Sequence, residues 1–454
     1  MTGSPTPAAA KPPGQRIPAV AAALLVLGAA LAGAQSGGTD AVSLTADQAV
    51  ARALANQPVI LQAQASLEAA RARVGQVQSA YWPAISASGS YTHIEPDQSI
   101  SVTLGSLGTI SLIVPTDNYD IHLGLNQVIT QFGRRDAQVK LAESGATAAR
   151  IGVEQVKTAV GYQAAQLFYT ALFLQKQSAA LDEQYDNLQQ HLRVIEIREQ
   201  TGSATRLEIL STQVRMASLQ SQRTDARTQL RKQLVALGQL TGLAAGTEIQ
   251  LAGAFTPGAD TADSAALVAA ALEKRTEVRQ AAEAQRAAEL AVQLTFDSLY
   301  PTLSARGAVG WRNGLEPSPK DLTFNWSAGV AVSVPVFQGF QVARSLDEAR
   351  SKVDAAKAAA QAARLSVTTQ VLQAWHDVQG AREQVAITTT ALDQAKQMVD
   401  VAKVQYDIGV ITNLEYLDAQ TALETANITN LAALYKEVLS EYALRQATGE
   451  ALAH

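Results

Sequence analysis

Hydrophobic and polar residues alternate in four short stretches of the chain, and each stretch adjoins a helical segment of unusual length. Over residues 84–93, Ile85, Ala87 and Tyr91 oppose Ser86, Ser88, Ser90 and Thr92. Over 118–130, Tyr119, Ile121, Leu123, Leu125 and Ile129 oppose Asn118, Asp120, His122, Gly124 and Asn126, with one interruption at Gln127 and Val128. In 302–312, Leu303, Ala305, Gly307, Val309 and Trp311 oppose Thr302, Ser304, Arg306 and Arg312. The run 322–334 sets Leu322, Phe324, Trp326, Ala328, Val330, Val332 and Val334 against Thr323, Asn325, Ser327, Gly329, Ala331 and Ser333. A period of two predicts a strand in each.

Proline placement predicts the helices. No proline occurs between Pro115 and Pro257 or after Pro335, and each of these spans holds one clear interruption, at Gly202 and at Gly409. A helix over 134–201 would be about 100 Å long, followed by a shorter return to Gly242. Residues 341–408 and 412–449 repeat that plan. Two medium helices, 45–80 and 262–298, end at Tyr81-Trp82-Pro83 and at Leu299-Tyr300-Pro301, and Pro58 predicts a kink in the first. A medium helix and a return helix together match one long helix in length, so the two can stack end to end beside it.

These elements occur twice. Gly202-Ser-Ala-Thr-Arg-Leu-Glu-Ile-Leu recurs as Gly409-Val-Ile-Thr-Asn-Leu-Glu-Tyr-Leu, and Leu237-Gly-Gln-Leu-Thr-Gly as Leu444-Arg-Gln-Ala-Thr-Gly. The spacing of about 207 residues is far longer than a solenoid unit. The organisation is a first copy over 35–242, a linker over 243–261 and a second copy over 262–454. Ahead of them, Lys11 and Arg16 precede an apolar run that ends in Ala32-Gly33-Ala34. Residues 1–34 read as a cleaved signal peptide, with an uncleaved anchor helix as the alternative.

Composition removes several function classes. The chain is 47% hydrophobic and 17% charged with a net charge of -5, which offers no basic stripe for nucleic acid. It has no cysteine, hence no disulfide, no thiolate metal site and no acylated N-terminal Cys. The five histidines, His93, His122, His191, His376 and His454, lack ligand spacing. No phosphate-binding glycine loop or catalytic constellation is present, so the expectation is a non-enzyme without cofactor or metal.

No stretch after residue 34 is apolar enough for a membrane helix, so any span must be a barrel. The strand lengths suit a tilted crossing of hydrocarbon. Trp82, Tyr91, Tyr119, Tyr300, Trp311, Phe324 and Trp326 lie in or beside the strands, as an interfacial aromatic belt facing lipid would have them. The alternative is a soluble antiparallel sheet, or a structural coiled-coil envelope protein without a pore. Four strands cannot close alone, because the smallest membrane barrels have about eight, so the membrane reading requires an oligomer.

In its order of signal peptide and then, twice, medium helix, strand pair, very long helix, glycine turn and return helix, the chain resembles the TolC-like outer-membrane efflux proteins. The resemblance covers almost the whole mature chain, and Gly409-Val-Ile-Thr-Asn-Leu-Glu-Tyr-Leu-Asp-Ala-Gln is its most telling segment. It implies an α+β membrane protein in which each subunit gives four antiparallel strands to a shared 12-stranded barrel and long helical hairpins to a periplasmic α-barrel. It further implies a homotrimer in the outer membrane, with a periplasmic adaptor and an inner-membrane pump, proton-driven or ATP-binding cassette, as partners of the exit duct.

The turns between long and return helices carry the candidate sites. Thr205 with Glu208, and Thr412 with Glu415, form the Thr-x-x-Glu of a capping box, and capping alone accounts for both pairs. Asp418 sits one turn deeper, and its counterpart in the first copy is Ser211. By resemblance, Glu415 and Asp418 match two carboxylates that ring the closed periplasmic entrance, while Tyr406 and Glu208 match residues that latch neighbouring coils. Ile411 stands where the family has its latching arginine, and Arg206 is the candidate substitute. Gly202, Ser203, Ala204, Thr205, Gly409, Val410, Ile411 and Thr412 form the implied adaptor-docking tips. Their small residues suit either tight turns or close approach of a partner. Differences between copies, Asp418 against Ser211, Tyr406 against Glu199 and Asn413 against Arg206, mark where a gate is expected.

Overall fold

A computed structural model describes residues 42–95, 99–103, 105, 109–113, 115–256, 263–314 and 320–450. The expected signal peptide, residues 1–34, lies outside the described residues. The first half runs β1 (Val42–Leu44), α1 (Ala46–Asn56), α2 (Pro58–Gln78), β2 (Ala84–His93), β3 (Ser99–Thr103), β4 (Thr109–Ile113), β5 (Asp117–Thr130), α3 (Arg134–Gln200) and α4 (Arg206–Thr241). The second runs β6 (Ile249–Leu251), α5 (Ser264–Lys274), α6 (Thr276–Asp297), β7 (Thr302–Arg312), β8 (Thr323–Ser333), α7 (Gln341–Asp407) and α8 (Asn413–Thr448). Both long helices have 67 residues and both return helices have 36. The fold is thus mostly helical, with one main antiparallel sheet.

That sheet has four strands in the order β2-β5-β7-β8, every neighbour antiparallel. Its register puts Ile85, Leu125, Gly307 and Ala328 in one row, and Leu123, Val309 and Trp326 in another. All alternating apolar residues therefore share one face. The other face collects Ser88, His122 and Asn325, and above them Ser90, Asp120, Arg312 and Thr323. The interruption at Gln127 and Val128 corresponds to a register shift between Val128 and Thr130. There Arg135, itself buried, donates to the Ile129 carbonyl at 2.9 Å and to the Ala80 carbonyl at 3.2 Å, so the bulge is tied to the start of α3.

Two small pairings fall where no strand was expected. β3 and β4 form a hairpin between β2 and β5, and β6, inside the segment read as linker, pairs in parallel with β1. Strands this short carry a weak periodic signal.

The medium helices are broken outright. Residues 45–80 were expected to kink at Pro58; instead Gln57 is extended, with φ -73 and ψ 122, and α1 and α2 are separate helices. Residues 262–298 were expected to form one helix, yet Arg275 is extended, with φ -59 and ψ 130, although no proline follows. The reason is tertiary. Gln57 Nε2 donates to the Leu240 carbonyl at 2.6 Å, and Arg275 Nη1 donates to the Gln446 and Ala447 carbonyls at 3.2 and 3.1 Å. Each break turns a side chain onto the final carbonyls of a return helix, which have no intrahelical donor.

Matching cores surround the two breaks. Val50, Ala53, Ile60, Val160, Ala164, Ala165 and Leu240 pack in the first half. Ala271, Val278, Val367, Val371, Ala374, Val378, Leu444 and Ala447 pack in the second. Arg275 also makes a two-pronged pair with Glu277 at 2.8 and 2.9 Å and reaches Gln370 at 2.8 Å. Replacing Arg275 with Leu strands these acceptors and is expected to cost about 3 kcal/mol. Arg275→Gln, which copies Gln57, should lose less than half of that. Thermal unfolding followed by circular dichroism orders the two variants, and equal losses would reject the capping role.

Candidate functional site

Both hairpin turns are built the same way. Gly202 and Gly409 are left-handed, with φ of 74 and 76, a conformation that glycine adopts at little steric cost. The amide after each reaches back to close the helix end: Ser203 N donates to Arg198 O at 2.7 Å, and Val410 N to Gln405 O at 2.8 Å. Thr205 and Thr412 then cap the return helices, accepting from the Glu208 and Glu415 amides at 3.4 and 3.3 Å. The two carboxylates answer by accepting from the Thr205 and Thr412 amides at 3.2 and 2.7 Å. The Glu415 carboxyl is held below its usual pKa, first by the Thr412 amide and then by its hydroxyl. Both glutamates are therefore committed to the turns.

Asp418 is different in its surroundings as well as in its copy. It is exposed on α8, and its carboxylate makes no hydrogen bond or ion pair with another described residue. Ser211, its counterpart, merely donates to the Glu208 carbonyl at 2.9 Å. Arg206, the candidate latching arginine, is exposed on the first tip. The arginine that bridges the hairpins is Arg198, at the end of α3. Its guanidinium lies 4.9 Å from the centre of the Tyr406 ring and pairs with Asp407 at 3.2 Å.

Tyr406 is buried in an aromatic cluster that joins α3, α7 and α8. Its ring stacks on Tyr416 at 5.4 Å with a 16° interplanar angle and meets His191 edge-on at 5.2 Å. His191 from α3 lies 2.8 Å from Asn413 Oδ1 on α8, and Asn413 Nδ2 approaches Thr212 Oγ1 of α4 at 3.5 Å. Two positions that differ between the copies, Tyr406 and Asn413, thus meet in one place, together with His191. Periodicity gave no reason to select His191, because its burial comes from the second hairpin.

At the opposite end, the apolar face of the sheet is exposed in a single chain. Ile121, Leu123, Trp311, Phe324 and Trp326 are all exposed, and Trp326 is 72% accessible. Tyr91 and Tyr119 pair at 5.1 Å, and Trp311 and Phe324 at 5.6 Å, on adjacent rows far from the helices. Trp82 and Tyr300 mark the helix-proximal end. Tyr300 gathers Phe296 at 5.9 Å and Phe132 at 6.5 Å, and Phe337 and Phe340 pair nearby in sequence to β8 at 5.6 Å, aromatics that alternation alone did not single out. From Trp82 to Tyr91 a tilted strand rises by roughly 25 Å, the height of an outer-membrane apolar band.

The sequence model of the outer membrane efflux protein family matches residues 49–243 and 267–450. The chain belongs to that family. This outer membrane efflux protein is 23% identical to the outer membrane efflux protein BepC of Brucella suis biovar 1, covering 95% of this chain and 90% of the relative. It is 22% identical to the outer membrane protein TolC of Vibrio cholerae, over 87% of this chain and 88% of the relative. Among solved structures, the Campylobacter jejuni CmeC outer membrane channel superposes with a TM-score of 0.75 at 19% identity, covering 89% of this chain and 85% of that one. The fold is that of the TolC-like channels. Its family is one of channel proteins rather than enzymes, and its place is the outer membrane, with a long helical extension into the periplasm.

Proposed function

We propose that three copies of this outer membrane efflux protein form a passive exit duct of a tripartite efflux or type I secretion system. The observation that carries the reading is the open sheet: β2 and β8 are both edge strands, and the apolar face between them is exposed. Unpaired edges beside a wide apolar face invite closure with further copies. Three copies give about twelve strands, enough for an aqueous bore lined by the polar face. The helical hairpins then surround a periplasmic passage that opens at its tips when an adaptor and an inner-membrane pump dock.

Exposed apolar positions on the hairpins support assembly in a defined register. Leu207, Leu210 and Val214 line one face of α4, and Val401 and Val404 on α7 continue to Ile408 at its C-cap. Both rows use the three-and-four spacing of a coiled-coil seam. The helices run oppositely relative to the tip. Packing α4 of one copy against α7 of the next brings Leu207 to Ile408, Leu210 to Val404 and Val214 to Val401. The same register sets Lys232 against Glu383. Asp418 from each copy would ring the narrow end, where like charges select cations.

Because the chain has no cysteine, the register can be tested cleanly. Val214→Cys combined with Val401→Cys is expected to yield a covalent trimer ladder on oxidation, whereas either single variant yields none. The same trimers should show discrete conductance in planar bilayers. Conductance without the ladder would reject the seam and keep the duct. A chain that stays monomeric in detergent and never conducts would instead favour an envelope coiled-coil protein without a pore.

A further inference from the structure

Among the described residues His191 is the only buried histidine. It stands on α3, 11 residues before the glycine of the first turn by chain numbering, with its ring 4.6 Å from Tyr416 and 5.2 Å from Tyr406. Its Nε2 lies 2.8 Å from the Oδ1 of Asn413, the first residue of α8. An amide oxygen only accepts, so the neutral imidazole carries its proton on Nε2 and donates it there, a tautomer assigned from the bonding partners. Thr212 holds the other end of the Asn413 amide at 3.5 Å. One small polar chain therefore crosses from the first hairpin to the second, inside an aromatic cluster.

The repeat shows that hairpin architecture does not require this chain of contacts. At the equivalent positions of the other copy stand Met398 for His191, Arg206 for Asn413, Ile209 for Tyr416 and Glu199 for Tyr406. Met398 is exposed. The same turn, capping box and helix lengths form without any of the four.

We infer that His191 is a positioning residue that pins the first hairpin to the second beside the tip, and that taking up a proton releases the pin. The functional consequence rests on the exit-duct reading, but the movement of the hairpins does not. The charged groups facing the imidazole are Arg198 on its own helix, Glu208 from α4 and Asp407 from α7. The titratable phenols are Tyr406 from α7 and Tyr416 from α8; Asn413 contributes no charge. Burial is the largest influence and holds the imidazole below its ordinary value, and Arg198 acts in the same direction. The Asn413 hydrogen bond, Asp407 and Glu208 oppose them without reversing the result.

The sign follows from proton counting. The pinned state keeps the ring neutral and so binds fewer protons than a released state in which the ring is hydrated. Pinning is complete above the ordinary histidine value of about 6.5 and is lost progressively as pH falls below it. Acid therefore loosens the hairpins, and a more alkaline medium closes them.

Spin labels on Ser203→Cys and Val410→Cys, equivalent exposed positions on the two tips, report hairpin separation in full-length trimers diluted with cysteine-free copies. The tip distance should lengthen on acidification with a midpoint below about pH 6.5. The midpoint should coincide with the titration of the His191 ring followed by nuclear magnetic resonance. His191→Gln keeps a donor for Asn413 but cannot titrate, and it should hold the short distance throughout; His191→Leu should give the long distance throughout. If His191→Gln lengthens in acid as the parent does, or if the parent does not lengthen, the pin is overturned. Open probability in planar bilayers is read on the same samples. Separation without any conductance would leave the pin standing and remove the duct.

Discussion

Gly310→Ala is expected to prevent assembly of the sheet, and to do so more completely than any other single methyl addition in the strands. Gly310 pairs with His122 across β5 and β7. A methyl group built on its Cα would fall 2.6 Å from the His122 Cα and closer still to the Ile121 carbonyl oxygen. Both are backbone atoms of the neighbouring strand, so no side-chain rotation relieves the contact. The strands must separate or shift, and a slip of one residue would move the apolar residues of β7 to the polar face. The cost is about 3 kcal/mol or more, with the loss of the central pairing of the four strands. Gly329→Ala supplies the control, because nothing lies within 4 Å of a methyl group there. The heat-modifiable oligomer on gels and the amount of protein in the outer-membrane fraction measure the outcome. Gly310→Ala should lose both and Gly329→Ala neither. Normal accumulation of the Gly310 variant would show that the β5 and β7 backbones do not approach as closely as described.

The second large effect lies at the tips. Tyr406→Ala should open the hairpins and raise the fraction of time spent conducting by at least tenfold. The tyrosine ring stacks on Tyr416, meets His191 edge-on and lies beneath the Arg198 guanidinium. Truncating a buried aromatic side chain costs about 3–5 kcal/mol when the site cannot collapse. Here the cheapest response is not collapse of a rigid core but separation of α7 and α8 from α3 and α4, since Ala402, Tyr416 and Ala419 are the principal buried partners that remain. Arg198 would be left with Asp407, an exposed ion pair of small energetic weight. Tyr406→Phe preserves the ring contacts and should stay close to the parent. Single-channel recordings compare the three proteins directly. Equal open times for the alanine variant and the parent would reject the proposal that Tyr406 holds the tips closed.

These effects have different visibility in the linear chain. The four strand segments, the glycine turns and the capping threonines could all be located from spacing, because each depends on neighbours close in sequence. The helix breaks at Gln57 and Arg275 were less accessible. Pro58 announced one as a kink, but nothing local announced Arg275, whose extended backbone is compensated by carbonyls more than one hundred residues away. The tip residues show the same division. Glu208 and Glu415 were legible as caps, whereas Arg198 and His191 acquire their roles only by meeting Tyr406, Asp407 and Asn413 across the hairpins.

The amino-acid sequence by itself determined the periods, the boundaries and the duplication. Alternation of two, long proline-free spans and a repeated Gly-x-x-Thr-x-x-Glu turn are properties of backbone geometry and short-range bonding, so they can be read along one chain. Only the tertiary structure decided which copy-specific residues converge. Two hairpins with the same fold present different side chains to each other, and burial between them turns an ordinary histidine and an asparagine into an inter-hairpin contact. The strength of that contact comes from exclusion of water, and exclusion is a property of the packed helices rather than of any segment alone.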